Sequence, residues 1–384
     1  MLTVYITILI AVKIIFTAIL YSKNKFKNIL ITSYFYGVIS LSYSFCVLPL
    51  NAYKETNTLL DFIFVLSVIL FYSTSYVLYS CATFVKNKIK IKNNKMSKVS
   101  KILAFSFLVV VAELAISSLT SIFTSGSMLP DYTFTNIGFA LSYSPLIFFA
   151  KYAHVYGLTF ILCLAVGTVT EIFHNKKIKF LILIIFTLLC FTNINKNLDN
   201  YTQVAPKNML IVGEGQFITK EKDVREIKKD YGLIIDSTQE IKSIENTAPV
   251  FYSASKVYNI QDNSTHKIYK RFRIPFGEYW PWAFNFIKYI NPEIYNIMIR
   301  TRNYATKDDN EVFTFNNQRY AVLICSDAWS PISVKKIMEQ NPDTIILQRS
   351  DDIFHSNQYF LAHLELWKRV LLTYTGVNII DIAK

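Results

Sequence analysis

Six long apolar stretches in the first half of the sequence most constrain what this chain can fold into. They run over residues 2–21, 29–50, 59–83, 102–124, 153–173 and 179–194. A helix needs about 20 predominantly apolar residues to cross the hydrocarbon core of a bilayer, and every stretch except the last reaches that length. We therefore expect a transmembrane domain of about six helices over residues 1–195, with a short last helix.

Composition and charge agree with a membrane protein. The chain is 52% hydrophobic and 17% charged, whereas ordinary soluble domains have about 25% charged residues. The net charge of +13 is concentrated in residues 1–194, which carry sixteen lysines, no arginine and five acidic residues. A nucleic-acid-binding protein would gather basic residues on an exposed face, but here the lysines separate apolar stretches. We therefore expect a membrane as partner and no nucleic acid.

The lysines alternate between loops, which indicates the orientation of the helices. The loops at 22–28, 84–101 and 174–179 hold three, seven and three lysines, while those at 51–58 and 125–152 hold one each. Lysine-rich loops remain in the cytoplasm under the positive-inside rule. The N-terminus and the second half of the chain are therefore expected outside the cytoplasm.

One acidic residue lies deep within the fourth apolar stretch. Glu113 stands in the sequence VVVAELAISS, and ionisable groups inside membrane spans are costly unless they are paired. Its partner is expected either inside the helix bundle or at the mouth of the outer domain.

The second half of the chain changes to short β-rich runs separated by helical ones. The predicted strands are 209–213, 231–236, 248–258, 319–325 and 343–348, and the predicted helices are 219–229, 332–340 and 356–370. Strands that alternate with helices favour an α/β fold. We expect one such domain over residues 196–384.

A single cysteine, Cys325, lies in this second half. The strand RYAVLIC ends on its thiol, and the following SDAWSP predicts a turn into the helix at 332–340. Such a turn exposes a nucleophile and offers backbone N–H groups to a developing oxyanion. A lone cysteine is also commonly a small buried apolar residue, so both interpretations stand at this point.

Two further segments place a charged residue after a predicted strand. Glu214 follows MLIV and is flanked by Gly213 and Gly215, while Lys270 precedes a second acid, Glu278, in YKRFRIPFGEYWPW. A thiol, a carboxylate and an ammonium together suffice for covalent acyl chemistry.

These segments resemble a known family. GEG at 213–215, YKRFRIPFGEYWP at 269–281 and LICSDAW at 323–329 resemble the Glu, Lys and Cys blocks of the nitrilase, or carbon-nitrogen hydrolase, superfamily. The middle block, together with residues 112–118 and 142–162, is especially similar to the bacterial apolipoprotein N-acyltransferases. The resemblance implies a transmembrane bundle followed by a nitrilase-like α-β-β-α sandwich. It also implies further strands and a last membrane helix, so the domain is expected to be shortened at its C-terminus.

The resemblance also implies residue roles. It makes Cys325 the nucleophile, Glu214 the general base and Lys270 the group that stabilises the oxyanion, with Glu278 holding Lys270. Asp327 takes the place of the family's glutamate after the nucleophile, and is one methylene shorter. The implied acyl donor is a phospholipid and the acceptor is the amine of a lipoprotein's diacylglyceryl cysteine, in the bacterial inner membrane, with no cofactor and no metal.

Two other functions stay open from the sequence. The chain departs from the family at Gly213, where the family has proline, and at Ser326, where it has an aromatic residue. One alternative is a nitrilase-like membrane accessory protein with little or no activity, of the kind found in conjugal-transfer systems. The other is a membrane-anchored amidase, in which water resolves the thioester.

Overall fold

The computed structural model describes most of the chain and divides it into two compact units. The described residues are 2–22, 25–45, 58–89, 94–125, 135–173, 176–190, 205–211, 231–242, 250–273, 280–301, 304–305, 312–349 and 358–383. The first unit comprises residues 1–120, 128–197 and 356–376, and the second comprises 121–127, 198–355 and 377–384. The chain therefore passes between the units several times.

Helices build the first unit. They are α1 (Leu2–Ser22), α2 (Phe26–Phe45), α3 (Thr58–Ser73), α4 (Leu78–Lys88), α5 (Asn94–Ser125), α6 (Ala150–Ile172) and α7 (Lys176–Leu189), and short 3-10 turns cover Thr74–Val77, Ile137–Leu141 and Pro145–Phe149. Helix α5 ends in the second unit, which includes residues 121–127.

Four helical segments among the described residues are long and apolar enough to cross a membrane. They are Thr3–Ser22, Leu66–Lys88, Ser97–Phe123 and Pro145–Ile172, which correspond to four of the six predicted spans. The other two predicted spans are not confirmed. Helix α2 has 20 residues but many Ser and Tyr side chains, and the described part of α7 has only 14 residues, against the roughly 20 that a span requires.

Glu113 lies inside the first unit, where its carboxylate accepts three hydrogen bonds. The donors are the backbone N–H of Ile137 at 2.7 Å, the Thr159 hydroxyl at 2.6 Å and the Tyr79 hydroxyl at 3.0 Å. Of the two expected locations for its partner, the structure supports the helix bundle. Non-helical backbone at membrane depth needs such polar partners, and Ile137 opens a turn whose side chains are all buried.

Lys13 holds the other side of the same buried turn. Its ammonium donates to the carbonyl oxygens of Thr135 at 3.0 Å and Asn136 at 2.9 Å, and it contacts the Tyr36 hydroxyl at 3.5 Å. Lys13 therefore donates to the two carbonyls that come directly before the Ile137 N–H, which donates to Glu113. Two opposite charges clamp one short backbone segment.

Two four-stranded sheets form the core of the second unit. In the first sheet, the order is β1 (Met209–Ile211), β2 (Leu233–Lys242), β3 (Val250–Asn259) and β4 (Ser264–Tyr269). The second sheet has the order β5 (Phe313–Phe315), β6 (Gln318–Ile324), β7 (Thr344–Arg349) and β8 (Asn378–Ala383). The remaining helices of this unit are α8 (Ile287–Ile290), α9 (Pro292–Thr301) and α10 (Pro331–Met338).

Parallel and antiparallel pairs occur in both sheets. The pairs β1–β2, β6–β7 and β7–β8 are parallel, and the pairs β2–β3, β3–β4 and β5–β6 are antiparallel. The turn between β5 and β6 places Asn316 and Asn317 at φ of 51° and 61°, which asparagine tolerates better than most residues. Strand β6 is buried along Tyr320–Ile324, as expected for a strand covered on both faces.

The two sheets contact each other inside the second unit. The Ser255 hydroxyl on β3 donates to the Gln348 side chain on β7, and β3 also contacts β6. The expected strands and the α/β class are thus confirmed among the described residues. The helical outer layers of a full sandwich are not established there, and the predicted helix at 219–229 lies outside the described residues.

The helix predicted at 356–370 packs with the first unit. It is α11 (Gln358–Thr375), and it contacts α1 and α6. Its Arg369 guanidinium lies 3.7 Å from the centre of the Tyr143 ring, and Tyr374 meets the His154 ring edge-on at 5.0 Å. The chain then returns to the second unit as β8, so the α/β part of the sequence contributes one helix to the helical unit.

Candidate active site

Cys325 occupies a sharp turn between a strand and a helix. Strand β6 ends at Ile324, a 3-10 turn covers Cys325–Trp329, and α10 begins at Pro331. Cys325 has a φ of 47°, in the left-handed region that non-glycine residues rarely adopt. Strained backbone of this kind clusters at functional sites. The turn predicted from the sequence is confirmed.

The start of α10 explains why the turn is so short. Ser330 is the N-cap residue, and its hydroxyl accepts the N–H of Ser333 at 3.1 Å. Pro331 follows at the first helical position, where its missing N–H costs nothing. The cap and the proline begin the helix directly after the 3-10 turn, which leaves Cys325 at the carboxyl end of β6.

The position of Cys325 in the sheet is also typical of a site. Strands β6 and β7 are parallel, with Ile324 opposite Gln348, so both strands end at the same edge of the sheet. Ligands of open α/β sheets bind outside the carboxyl ends of such strands. The Cys325 side chain is buried, with 4% of its surface exposed.

Lys270 directly follows the last strand of the first sheet. Its backbone N–H donates to the Ser253 carbonyl at 2.9 Å, which extends the β3–β4 pairing by one residue. The residue is only 3% exposed. Lysine is rarely buried to this degree unless its charge is paired.

Asp327 joins the segment after Lys270 to the turn that holds Cys325. Its Oδ1 accepts the backbone N–H groups of Arg271 at 2.8 Å and Phe272 at 2.6 Å. The Ser326 hydroxyl donates to the Phe272 carbonyl at 2.5 Å. The structure therefore brings together two segments that lie 55 residues apart in the sequence and that each carry a predicted catalytic residue.

The other two predicted site residues, Glu214 and Glu278, lie outside the described residues. Strand β1 ends at Ile211, three residues before Glu214, and pairs in parallel with β2. The roles of both glutamates stay predictions.

Ser326 is the site residue whose contribution the sequence did not indicate. Its hydroxyl donates to a backbone carbonyl, a contact that the sequence around Ser326 does not indicate. Asp327 did carry a signal, because it stands two residues after Cys325, where the resemblance places an acid. Within the described residues, no three or more His, Cys, Asp or Glu side chains group as metal ligands.

No protein-family model and no curated protein matches this chain. Several solved structures align with part of the chain. A carbon-nitrogen hydrolase from Helicobacter pylori G27 aligns at 13% identity over 46% of this chain and 61% of its own, with a TM-score of 0.30. A mutant amidase from Nesterenkonia sp. AN1, with acrylamide added at its active-site cysteine, aligns at 10% identity over 37% of this chain and 54% of its own, with a TM-score of 0.26.

A third structure is the glutamine-dependent NAD+ synthetase from Acinetobacter baumannii in complex with ADP. It aligns at 17% identity over 37% of this chain and 26% of its own, with a TM-score of 0.24. The chain thus spans between about a quarter and three fifths of these proteins. Likeness of this extent assigns neither an activity nor a substrate.

Proposed function

We propose that the chain is a membrane-bound N-acyltransferase that uses Cys325 as its nucleophile. It moves a fatty acyl group from a phospholipid, through a thioester, to an amine such as the N-terminal diacylglyceryl-cysteine of an apolipoprotein. The observation that carries the proposal is the turn at Cys325. Cys325, with its backbone in the left-handed region, directly follows a strand that pairs in parallel with its neighbour. The turn is joined by hydrogen bonds to the segment that follows the buried Lys270.

The first half-reaction forms an acyl-enzyme. Glu214 takes the thiol proton, and the Cys325 sulfur attacks the ester carbonyl carbon of the phospholipid. Lys270 and backbone N–H groups bind the oxyanion of the tetrahedral intermediate. The carbon–oxygen ester bond then breaks, and the lysophospholipid leaves with the proton returned by Glu214.

The second half-reaction transfers the acyl group to an amine. The amine nitrogen attacks the thioester carbonyl, a carbon–nitrogen bond forms and the carbon–sulfur bond breaks. The proton lost by the amine returns to the Cys325 sulfur through Glu214. The products are an amide and the free enzyme, so no cofactor or metal is required.

The membrane helices support a lipid substrate. Four segments are long and apolar enough to span a bilayer, and a phospholipid does not leave the bilayer during the reaction. A soluble amide substrate would need no such anchor. An outward-facing second unit in a bacterial inner membrane fits the lysine distribution of the loops.

The test is intact mass spectrometry of the detergent-purified chain after incubation with phospholipid and without acceptor. We expect a fatty-acyl adduct on the wild type that hydroxylamine removes and that Cys325→Ala lacks. When a diacylglyceryl-cysteine peptide is then added, we expect the acyl group to move from Cys325 to the amine of the peptide. A folded wild type that remains unmodified would overturn the proposal and favour an accessory role, while hydrolysis of a small amide in the absence of lipid would indicate an amidase.

A further inference from the structure

One fully buried amide side chain lies beside the turn that holds Cys325. Gln348 is the second-last residue of β7, and its register partner on β6 is Ile324, the residue directly before Cys325. We propose that Gln348 is a positioning residue, which fixes where Lys270 lies relative to Cys325. This inference rests on the proposed function, because that reaction needs the ammonium and the thiol at one carbonyl group.

The Gln348 side chain reaches across to the first sheet. Its amide oxygen accepts the hydroxyl of Ser255 on β3, 93 residues earlier in the chain, and Ser255 is also fully buried. The buried Ser237 on β2 lies directly opposite Ser255, and residues directly opposite in an antiparallel pair share one face of the sheet. Two adjacent small side chains therefore leave room between the sheets for a long one.

Strand β3 also fixes the backbone of Lys270. The Lys270 N–H donates to the carbonyl of Ser253 at 2.9 Å, and Ser253 stands two residues before Ser255, about 7 Å away along the strand. Strand β4 pairs with β3 and ends directly before Lys270. The bond to Gln348 therefore links the strand that places Lys270 to the strand beside Cys325.

This hydrogen bond is directional, whereas its surroundings are apolar. Ile346 on β7 and Val257 on β3 lie two residues away on the same faces, and both are fully buried. Apolar packing is non-directional, so by itself it defines the lateral position of one sheet on the other only loosely. A hydrogen bond weakens steeply away from its preferred distance and angle. The bond therefore fixes the relative position of the two strands more closely than the apolar contacts do.

Lys270 is held from both sides in the sequence. Asp327, two residues after Cys325, accepts the N–H groups of the two residues that follow Lys270. Gln348 acts on the strand that holds Lys270 from the other side. Loss of Gln348 leaves the Asp327 contacts in place, so its effect should be smaller than that of losing Asp327.

The reactivity of the Cys325 thiol reports the position of Lys270. An ammonium close to a cysteine stabilises the thiolate, which is the form that reacts with iodoacetamide, and lowers the thiol pKa below its ordinary value of about 8.5. When the ammonium moves away, the midpoint of the pH–rate profile rises, but the rate at the high-pH plateau stays the same. General loosening of the site would instead change the rate at every pH.

The experiment measures iodoacetamide labelling of the full, detergent-purified chain between about pH 5 and 10. Peptide mass spectrometry separates Cys325 from the other four cysteines. We expect Gln348→Leu to raise the midpoint for Cys325 by about 0.7 pH unit, which slows labelling about five-fold below the midpoint and leaves the plateau unchanged. The matched control is Gln318→Leu, which removes an amide that accepts the Tyr320 hydroxyl at the other end of β6. It should label as the wild type does.

Ser255→Ala removes the other partner of the bond. The substitution deletes one oxygen atom, so it tests the proposal even if Gln348→Leu does not fold. We expect the same rise in the midpoint as in Gln348→Leu, and no further rise in Ser255→Ala/Gln348→Leu, because both changes remove one bond.

Three results would overturn the proposal. They are an unchanged midpoint in Ser255→Ala, a rate that falls equally at every pH, and a wild-type Cys325 that does not label at all. Labelling needs no phospholipid, so absence of the acyl adduct contradicts the proposed reaction alone, and the two proposals fail separately.

Discussion

Two buried carboxylates, one in each unit, hold irregular backbone in the same way but in different surroundings. Glu113 is 1% exposed and accepts one backbone N–H and two hydroxyls. Asp327 is fully buried, and one of its oxygens accepts two consecutive backbone N–H groups. Both satisfy amides that a helix or a sheet would otherwise pair.

The two carboxylates differ in what surrounds them: Glu113 lies in the helical unit, whereas Asp327 lies next to the candidate active site. Glu113 faces an opposite charge, since Lys13 interacts with it electrostatically, and both residues hold one buried turn of the helical unit. Asp327 stands two residues after the proposed nucleophile and holds the segment that follows Lys270. Glu113 therefore stabilises the helical unit, whereas Asp327 fixes the position of the segment after Lys270 relative to the turn at Cys325.

The largest effect is expected from Asp327→Ala. The substitution leaves the N–H groups of Arg271 and Phe272 without their acceptor and releases the segment after Lys270. Misplacement of catalytic groups by about 1 Å costs on the order of 100-fold in rate. We expect acyl-adduct formation on Cys325 to slow by that factor, as measured by time-resolved mass spectrometry. Asp327→Asn keeps an acceptor oxygen and should recover part of the rate. A wild-type rate in Asp327→Ala would contradict the positioning role.

Glu113→Ala should reduce stability and leave the chemistry of Cys325 unchanged. Three buried donors lose their acceptor and Lys13 loses its counter-charge, which costs about 2–3 kcal/mol in the free energy of unfolding. Thermal unfolding in detergent measures this loss. Lys13→Met/Glu113→Ala should recover part of it, because removing both members of a buried pair costs less than removing one. Strict additivity of the two substitutions would show that the charges do not act as a pair.

Acidification should weaken the packing of α11 on the helical unit. Burial lowers the pKa of His363 well below its usual value, and nearby Lys13 lowers it further. The unfolded chain binds a proton at about pH 6.5 and the folded chain does not, so stability is lost as the pH falls below that value. Between pH 7 and 5.5 we expect a loss of roughly 1 kcal/mol, seen as a lower melting temperature. His363→Leu should flatten this dependence, and an unchanged slope would exclude His363 as its source.

The smallest effect is expected where the two sheets meet. Ser255→Ala removes the hydroxyl that donates to Gln348, and loss of one such bond costs about 1 kcal/mol. Thr314→Ala, at an exposed position on β5, is the matched control and should change the melting temperature less. Equal effects of the two substitutions would show that the contact between the sheets contributes little.

Local sequence patterns predicted much of the fold and part of the site. The apolar stretches located the four helical segments that are long and apolar enough to cross a membrane. The position of Cys325 after an apolar run located its turn, because the end of a strand is a local property of the sequence. The packing of α11 was not predictable. Its apolar face includes Ala362, Leu366 and Val370. The same sequence pattern would suit a helix that packs on a sheet and one that packs on other helices.

Contacts between segments that are far apart in the chain could not be predicted from the sequence either. Lys13 and Thr135 are 122 residues apart, and no pattern in either segment indicates the other. The bond from Asp327 to the amide of Arg271 is equally remote. The resemblance indicated an acid at position 327, but only the structure shows that this acid accepts the backbone N–H groups of Arg271 and Phe272.

The return of α11 to the helical unit has a consequence for how the protein is made. Helix α1 leaves the ribosome before α11, which it contacts and which is encoded more than three hundred codons later. During synthesis, part of the α1 surface therefore stays uncovered until α11 has been translated. Cutting the gene near codon 195 would therefore deprive the N-terminal fragment of α11, and the C-terminal fragment would carry this helix between β7 and β8 without the helices that it contacts.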